Sequence, residues 1–227
     1  MDIKIWGVGS GLCERKNTSA QINGIQIDAG PSVYQDILNH FPEHLLITHP
    51  HGDHIGGIWH VALFAGFKSP KPLHIYGSSL SIERIKHIIR EQSDHEAYQV
   101  LQQKLHYHIL PEKGSITINN TKIDFETRHH IAEIHTHIFK FNDKVVWATD
   151  IHETEEDFPF YQGTDLVFHV MYRGKAHTTP EMVARIMKRA HVPRVLGIHY
   201  CDKKDLTPYA KDFQEFRYAE EGESFHL

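Results

Sequence analysis

The stretch His49-Pro50-His51-Gly52-Asp53-His54 constrains this chain more than any other six residues in it. It follows the apolar run Leu45-Leu46-Ile47-Thr48, which has the length and composition of a buried strand. Neutral imidazole and carboxylate are good ligands for zinc and its neighbours. Four such groups in six residues, at the end of a buried strand, are poorly explained as solvated surface. The chain carries 21 histidines, so chance clustering is the competing explanation. The strand before the loop and the helical pattern after it speak against chance. His54 is expected to open that helix, and Gly52 to relieve crowding where the backbone turns.

Composition narrows the possible partners. The 227 residues are read as one domain over 1–227, long enough to bury a core without disulfides or a structural metal. Apolar residues make up 40% and charged residues 23%, ordinary values for a globular protein. A net charge of −5 and a pI near 6.5 argue against a grip on long nucleic acid, which usually needs a basic stripe. Two cysteines, Cys13 and Cys201, make a poor disulfide framework and suit a reduced, cytoplasmic setting. Met1 to Trp6 alternates like a strand, without the charged-then-apolar pattern of a signal segment. No apolar run approaches the ~20 residues that span a bilayer, so no membrane partner is expected.

Alternation and β-branched content predict strands near 2–8, 18–22, 24–28, 44–48, 72–76, 106–110, 115–118, 121–127, 136–141, 144–149, 165–170, 194–199 and 223–227. Helices are predicted near 31–40, 54–66, 79–104 with a break at Ser93-Asp94, 179–190 and 207–213. Asn142-Asp143 reads as a hairpin turn. Thr178 or Thr179 could cap the fourth helix, with Pro180 in its first turn. Gly7, Gly9 and Gly11 mark a tight turn rather than a dinucleotide loop, because no helix pattern follows them. The order is not a strict βαβ alternation. Two mixed sheets face to face, with helices outside, fit it better.

The His49–His54 loop, the strand Ile25-Gln26-Ile27-Asp28-Ala29-Gly30 with its Asp-x-Gly ending, the strand Val145-Val146-Trp147-Ala148-Thr149-Asp150 and the strand Arg194–His199 together resemble the metallo-β-lactamase superfamily over nearly the whole chain. The resemblance implies an α/β fold, a four-layered αββα sandwich of two mixed β-sheets flanked by helices. It also implies two divalent ions, zinc or alternatively manganese. His49, His51 and His130 would hold one ion. Asp53, His54 and His199 would hold the other, and Asp150 would bridge them. His129 competes with His130 for the third position. Such paired ions lower the pKa of a shared water to about 7 and so supply a nucleophile at neutral pH. Asp53 could also accept a proton during attack. Asp28 is a candidate to accept the second N–H of a ligating histidine.

Ala176-His177-Thr178-Thr179-Pro180-Glu181, leading to Val195–His199, resembles the phosphodiesterase branch of that superfamily, which includes ribonuclease Z and the carbon–phosphorus pathway cyclic phosphodiesterase. The resemblance implies that His177 contacts the scissile phosphate or protonates the leaving oxygen. His129-His130-Ile131-Ala132 lacks the Gly-His-Thr-x-Gly turn of the thioesterase branch. The 19 residues between His130 and Asp150 (131 to 149) leave no room for the tRNA-holding arm of ribonuclease Z. Val167–Tyr172 lacks that family's glutamate. Smaller phosphodiesters therefore fit better, and the anti-Pycsar phosphodiesterases of cyclic CMP and UMP are similar in scale and motif order. The expected protein is a dinuclear metal-dependent hydrolase of a small or cyclic phosphodiester. Relatives of this branch are often homodimers, which leaves a homodimer open. The alternatives are an arylsulfatase, lactonase or thioester hydrolase on the same scaffold, or a metal-binding module without catalysis.

Other residues carry bland readings. His152 is as easily solvent-facing as pocket-lining, and His135 and His137 share one strand face. Cys201 reads as a packing residue. The acidic run Glu153 to Asp157 reads as a solvated loop. Phe160, Tyr161 and Tyr172 could stack on a base or serve as core or dimer contacts.

Overall fold

The computed structural model describes residues 1–11, 13–172 and 176–227. The chain divides into two compact units, residues 1–7, 16–111 and 221–227 in the first and 8–15 and 112–220 in the second.

The first unit opens with β1 (Asp2–Gly7), β2 (Ser19–Ile22) and β3 (Ile25–Ile27), joined antiparallel, the last two through a tight turn at Asn23-Gly24. Then come α1 (Tyr34–Asn39), β4 (His44–Leu46), α2 (Gly52–Ile55), α3 (Ile58–Phe67), β5 (Leu73–Gly77), α4 (Ser79–Gln92), α5 (His95–Lys104) and β6 (Leu105–Ile109). β3 to β6 run parallel, and the C-terminal strand Ser224–His226 pairs with β1 at the other edge of a seven-stranded sheet.

The helices cover one face of that sheet because their apolar residues repeat at helical spacing. Ile82, Ile85 and Ile89 of α4 and Val61, Ala62 and Ala65 of α3 join Leu45, Leu73 and Ile75 of the strands in one buried cluster. The expected break at 93–94 has a local cause. Asp94 accepts a hydrogen bond from Ala97 N at 2.8 Å and starts a new helix. The single helix expected over 54–66 is instead α2 and α3, divided at Gly56-Gly57. A Cβ on Gly57 would lie 2.6 Å from Gly30 O, so the glycine pair lets this turn lie against the loop after β3.

The second unit begins with an antiparallel meander, β7 (Lys113–Ile118), β8 (Thr121–Ile131), β9 (Ile134–Phe141) and β10 (Val145–Ala148). Asn142 and Asp143 make the β9–β10 turn with φ of 48° and 58°. A 3-10 helix (Glu155–Tyr161), β11 (Leu166–Val170), α6 (Pro180–Arg189), β12 (Arg194–Ile198), α7 (Thr207–Ala210) and β13 (Glu215–Tyr218) follow. β10 to β13 are parallel neighbours. With that, the closing strand of the first unit is β14. Sequence reasoning passed over β13, whose Glu-Phe-Arg-Tyr shows only two apolar positions and takes its strand form from the ladder with β12. Thr179 caps α6 by accepting from Met182 N at 3.3 Å, and Val183, Ile186 and Met187 form its buried stripe. Among the described residues no helix is long and apolar enough to cross a membrane.

The topology places the candidate residues. In the first sheet Asp28 and His49 to His54 stand just beyond the carboxyl ends of the adjacent parallel strands β3 and β4, and in the second Asp150, His177 and His199 follow β10, β11 and β12, parallel neighbours in that order, where α/β folds build their sites.

Candidate metal centre

In the first unit the chain leaves β4 through Ile47 and Thr48 and enters the histidine loop. His49 and His54 are fully buried. His49 Nε2 lies 2.9 Å from His51 Nδ1, and its Nδ1 faces the Thr48 hydroxyl at 3.1 Å. His54 turns Nδ1 to Asp28 Oδ2 at 2.8 Å, while its Nε2 stands 3.4 Å from Asp53 Oδ2. Asp28 thus fixes the ring and leaves Nε2 on the Asp53 side, the usual arrangement for a ligating imidazole. Asp28 also accepts from Thr48 N and Thr48 Oγ1, each at 2.8 Å. Burial holds its carboxyl above the ordinary range, and the neighbouring His54 offsets only part of that rise.

The glycine that this loop requires is not Gly52. A Cβ there would meet open space, which corrects the expectation that it relieves crowding. The close approach is at Gly30, where a Cβ would fall 2.1 Å from Asp53 O. Ala29 N donates to His54 O at 2.7 Å, and Gly57 N donates to Ala29 O at 2.8 Å. The Asp28-x-Gly30 segment is therefore both acceptor and floor for the histidine loop.

The second unit gathers His130, Asp150, His177 and His199. One carboxylate oxygen is the focus. Asp150 Oδ1 lies 2.9 Å from His199 Nε2, 3.1 Å from His177 Nε2 and 3.8 Å from His130 Nε2. One ligand atom from each of His130, Asp150 and His177 fits within 4.8 Å of the others. Thr149 Oγ1 donates to Asp150 Oδ2 at 2.6 Å, and Thr136 Oγ1 donates to Asp150 O at 2.9 Å. The two neighbours on β8 face opposite ways, at a register irregularity between His129 and Ile131 that breaks the alternation of the buried Thr121, Ile123 and Phe125. His130 is buried, whereas His129 is exposed and stands edge-on to His135.

Three of these residues hold left-handed backbone. φ is 57° at Asp28, 51° at Asp150 and 56° at His199. Such conformations are uncommon outside glycine and cost of order 1–3 kcal/mol each, so their persistence marks sites that the surroundings over-determine. The donor set itself, imidazole nitrogens and carboxylate oxygens gathered in a largely buried setting, suits divalent ions of the zinc class.

His177 sits in a braced turn. Thr178 N and Thr178 Oγ1 both donate to Ile151 O, at 2.8 and 2.9 Å, and Thr178 Oγ1 accepts from Glu153 N at 3.0 Å. Glu153 is not solvated as its acidic run suggested. It is 1% exposed and accepts from Tyr161 Oη at 2.8 Å, His169 Nε2 at 2.8 Å and Arg128 Nε at 3.2 Å. The signal was Thr154-x-x-Asp157, a helix-start box that assigns the later acids to the helix and leaves Glu153 to the interior. Tyr161 is accordingly core, and its phenol is held well above the ordinary range by burial and then by Glu153. His152 is exposed, and His137 is buried against Phe125 and Phe139. Cys201 meets the Ser10 hydroxyl at 2.9 Å, and burial raises its thiol, as suits a packing residue.

No curated protein matches this sequence. Solved structures do, across its length. The chain is similar to a diphosphatase from the PhnP family (TM-score 0.77, 15% identity, 100% of this chain and 97% of that chain covered). It is similar to the metallo-β-lactamase fold protein YhfI from Bacillus subtilis (TM-score 0.76, 17% identity, 99% of each chain). It is also similar to human tRNase Z, short form, ELAC1 (TM-score 0.73, 15% identity, 100% of this chain and 99% of that chain). At these identities the likeness shows the fold, which is the metallo-β-lactamase fold that the motifs implied. The family model described as anti-Pycsar protein Apyc1 matches residues 1–225, and the chain belongs to that family.

Proposed function

We propose that the protein is a metal-dependent hydrolase that cleaves a small or cyclic phosphodiester, a cyclic nucleotide in the first instance. The observation that carries this reading is the crowding of the His130, His177 and His199 rings around Asp150 Oδ1, an arrangement that a bound cation would relieve. Support also comes from the family and from solved neighbours described as a diphosphatase and a tRNase Z.

In this reading His49, His51 and His130 would hold one divalent ion, Asp53, His54 and His199 would hold a second, and Asp150 would serve both. Zinc is the first choice and manganese the second. When bound, such a pair supplies charge stabilisation for the phosphoryl oxygens and a nucleophile at neutral pH. The remaining work falls to the chain. Asp28 fixes the tautomer and direction of His54. Asp53, partly accessible, takes the proton released on attack. His177 gives a proton to the leaving alkoxide, help worth roughly 10²–10⁴-fold. Its turn is clamped by Thr178 and anchored by the Thr179 cap of α6, so the ring is presented in one orientation.

The test is turnover by zinc-loaded protein of bis-p-nitrophenyl phosphate and of a panel of 2′,3′- and 3′,5′-cyclic nucleotides, with and without chelator. Chelator-sensitive release of a nucleoside monophosphate is expected. Loaded protein that leaves every member of the panel intact would sink the phosphodiesterase reading. Turnover of a lactone or an aryl sulfate, offered to the same loaded protein, with none of the phosphodiesters, would move the activity to another hydrolase class.

A further inference from the structure

A second group of histidines lies on the sheet of the first unit, and none of its members belongs to the centre described above. His44 of β4, His74 of β5 and His106 of β6 are register partners across three parallel strands, and Tyr76 and His108 are partners one step further on. Their side chains share one face, because Leu45, Leu73, Ile75 and Leu105 point to the helix-covered core on the other. The His74 ring stacks on His44, His106 and His108 with centroids 5.1, 4.9 and 5.2 Å away. His74 Nδ1 and His108 Nε2 are 3.0 Å apart.

That separation is close to what one ion would need. Two zinc–nitrogen bonds of 2.0–2.1 Å at a tetrahedral angle place the nitrogens about 3.3 Å apart. His106 and His108, two apart on one strand, add the bidentate His-x-His spacing. His106 is exposed and its ring stacks on His74 at 4.9 Å, so a rotation of that surface ring is what would bring a third nitrogen to the His74–His108 pair. A hydrogen bond between two imidazoles accounts for the His74–His108 contact alone. It gives no reason for three histidines in register on adjacent strands, where like charges would repel on protonation. Burial, followed by the repulsion of neighbouring histidines, holds His74 and His108 below the ordinary histidine range. The neutral, ligating form is the result.

We propose that His74, His106 and His108 form a separate site for a borderline divalent transition-metal ion, with Cu²⁺ bound most tightly and Ni²⁺ and Zn²⁺ less so, following the general affinity order. The experiment is a Cu²⁺ titration of zinc-loaded protein freed of excess metal, with elemental analysis at each point and electron paramagnetic resonance of the bound copper. Wild-type protein should take one copper equivalent more than the double variant His74→Asn/His108→Asn, with hyperfine coupling to imidazole nitrogen. Equal copper uptake by the two proteins overturns the site. If the double variant fails to fold, the exposed single variant His106→Asn decides. It should weaken the extra equivalent by roughly tenfold or more, since even outer partners of a metal site are worth that much. Unchanged affinity in that variant overturns the site as well. Hydrolytic activity is not the readout, so loss of this site leaves the hydrolase reading intact.

Discussion

Asp28→Asn isolates what the acid beneath the histidine loop contributes. Asp28 is fully buried and satisfies three donors, Thr48 N through Oδ1 and Thr48 Oγ1 and His54 Nδ1 through Oδ2. Asparagine keeps the volume and one acceptor. Its amide oxygen retains Thr48 N, and the Thr48 hydroxyl rotates to accept from the new NH₂. His54 has no such escape. With an amide N–H facing Nδ1, either that nitrogen is left as an unpaired buried donor or the ring changes tautomer. In the second case the proton moves to Nε2, the nitrogen that must bind metal. An unsatisfied buried donor costs about 1–3 kcal/mol. A lost outer partner typically weakens a metal site about 10–100-fold, which is about 1.4–2.7 kcal/mol, so the two routes give the same scale. Zinc affinity measured by competition with a chromogenic chelator should fall by that factor, and thermal unfolding of the metal-free protein should drop by roughly 2–12 °C if the donor is stranded. A variant with wild-type zinc affinity would refute the claim that Asp28 sets the His54 tautomer.

Four further outcomes follow from the same geometry. His177→Ala should retain both ions by elemental analysis while turnover falls roughly 10²–10⁴-fold, and loss of metal would make His177 a ligand instead of an acid. Asp150→Ala removes the oxygen shared by three imidazoles and should lose metal and activity together, so two tightly retained ions would place the bridge elsewhere. Glu153→Leu strands the Arg128, His169 and Tyr161 donors and should destabilise the fold by about 3–5 kcal/mol in urea unfolding, whereas a change under about 1 kcal/mol would show that the buried carboxylate is idle. The depressed pKa values of His44, His74 and His108 mean that the unfolded chain binds more protons than the folded one below about pH 6.5. Stability should therefore fall as the pH drops through that value, and His74→Asn should flatten the slope of urea stability against pH. An unaltered slope would count against it.

The parts legible in the sequence were those with local causes. Apolar alternation found thirteen of the strands to within a few residues. The break at Ser93-Asp94 and the Thr179 cap were visible because a cap is a contact between residues three apart. The histidine loop is equally local. Asp150, His177 and His199 are far apart in the chain and could be nominated only through the family resemblance, since ladders between β10, β11 and β12 decide which strand ends stand side by side. What was misread depended on contacts outside the motif. Glu153 looked like surface because it opens a run of four acids in five residues, and only the opposing Arg128, Tyr161 and His169 reveal its burial. Gly52 looked obligatory because it sits among ligands, yet the steric demand falls 22 positions earlier, at Gly30.

The left-handed residues Asp28, Asp150 and His199 set the fitness of this protein against its robustness. Glycine would adopt each of those angles without the Cβ penalty, yet at Asp28 it would strand the three buried donors that the carboxylate satisfies. A library sorted only for heat resistance should therefore enrich glycine at His199, where one sorted for hydrolysis forbids it, and keep the acid at Asp28. Opposite enrichments at the His199 codon alone would separate what the chain tolerates from what its chemistry demands.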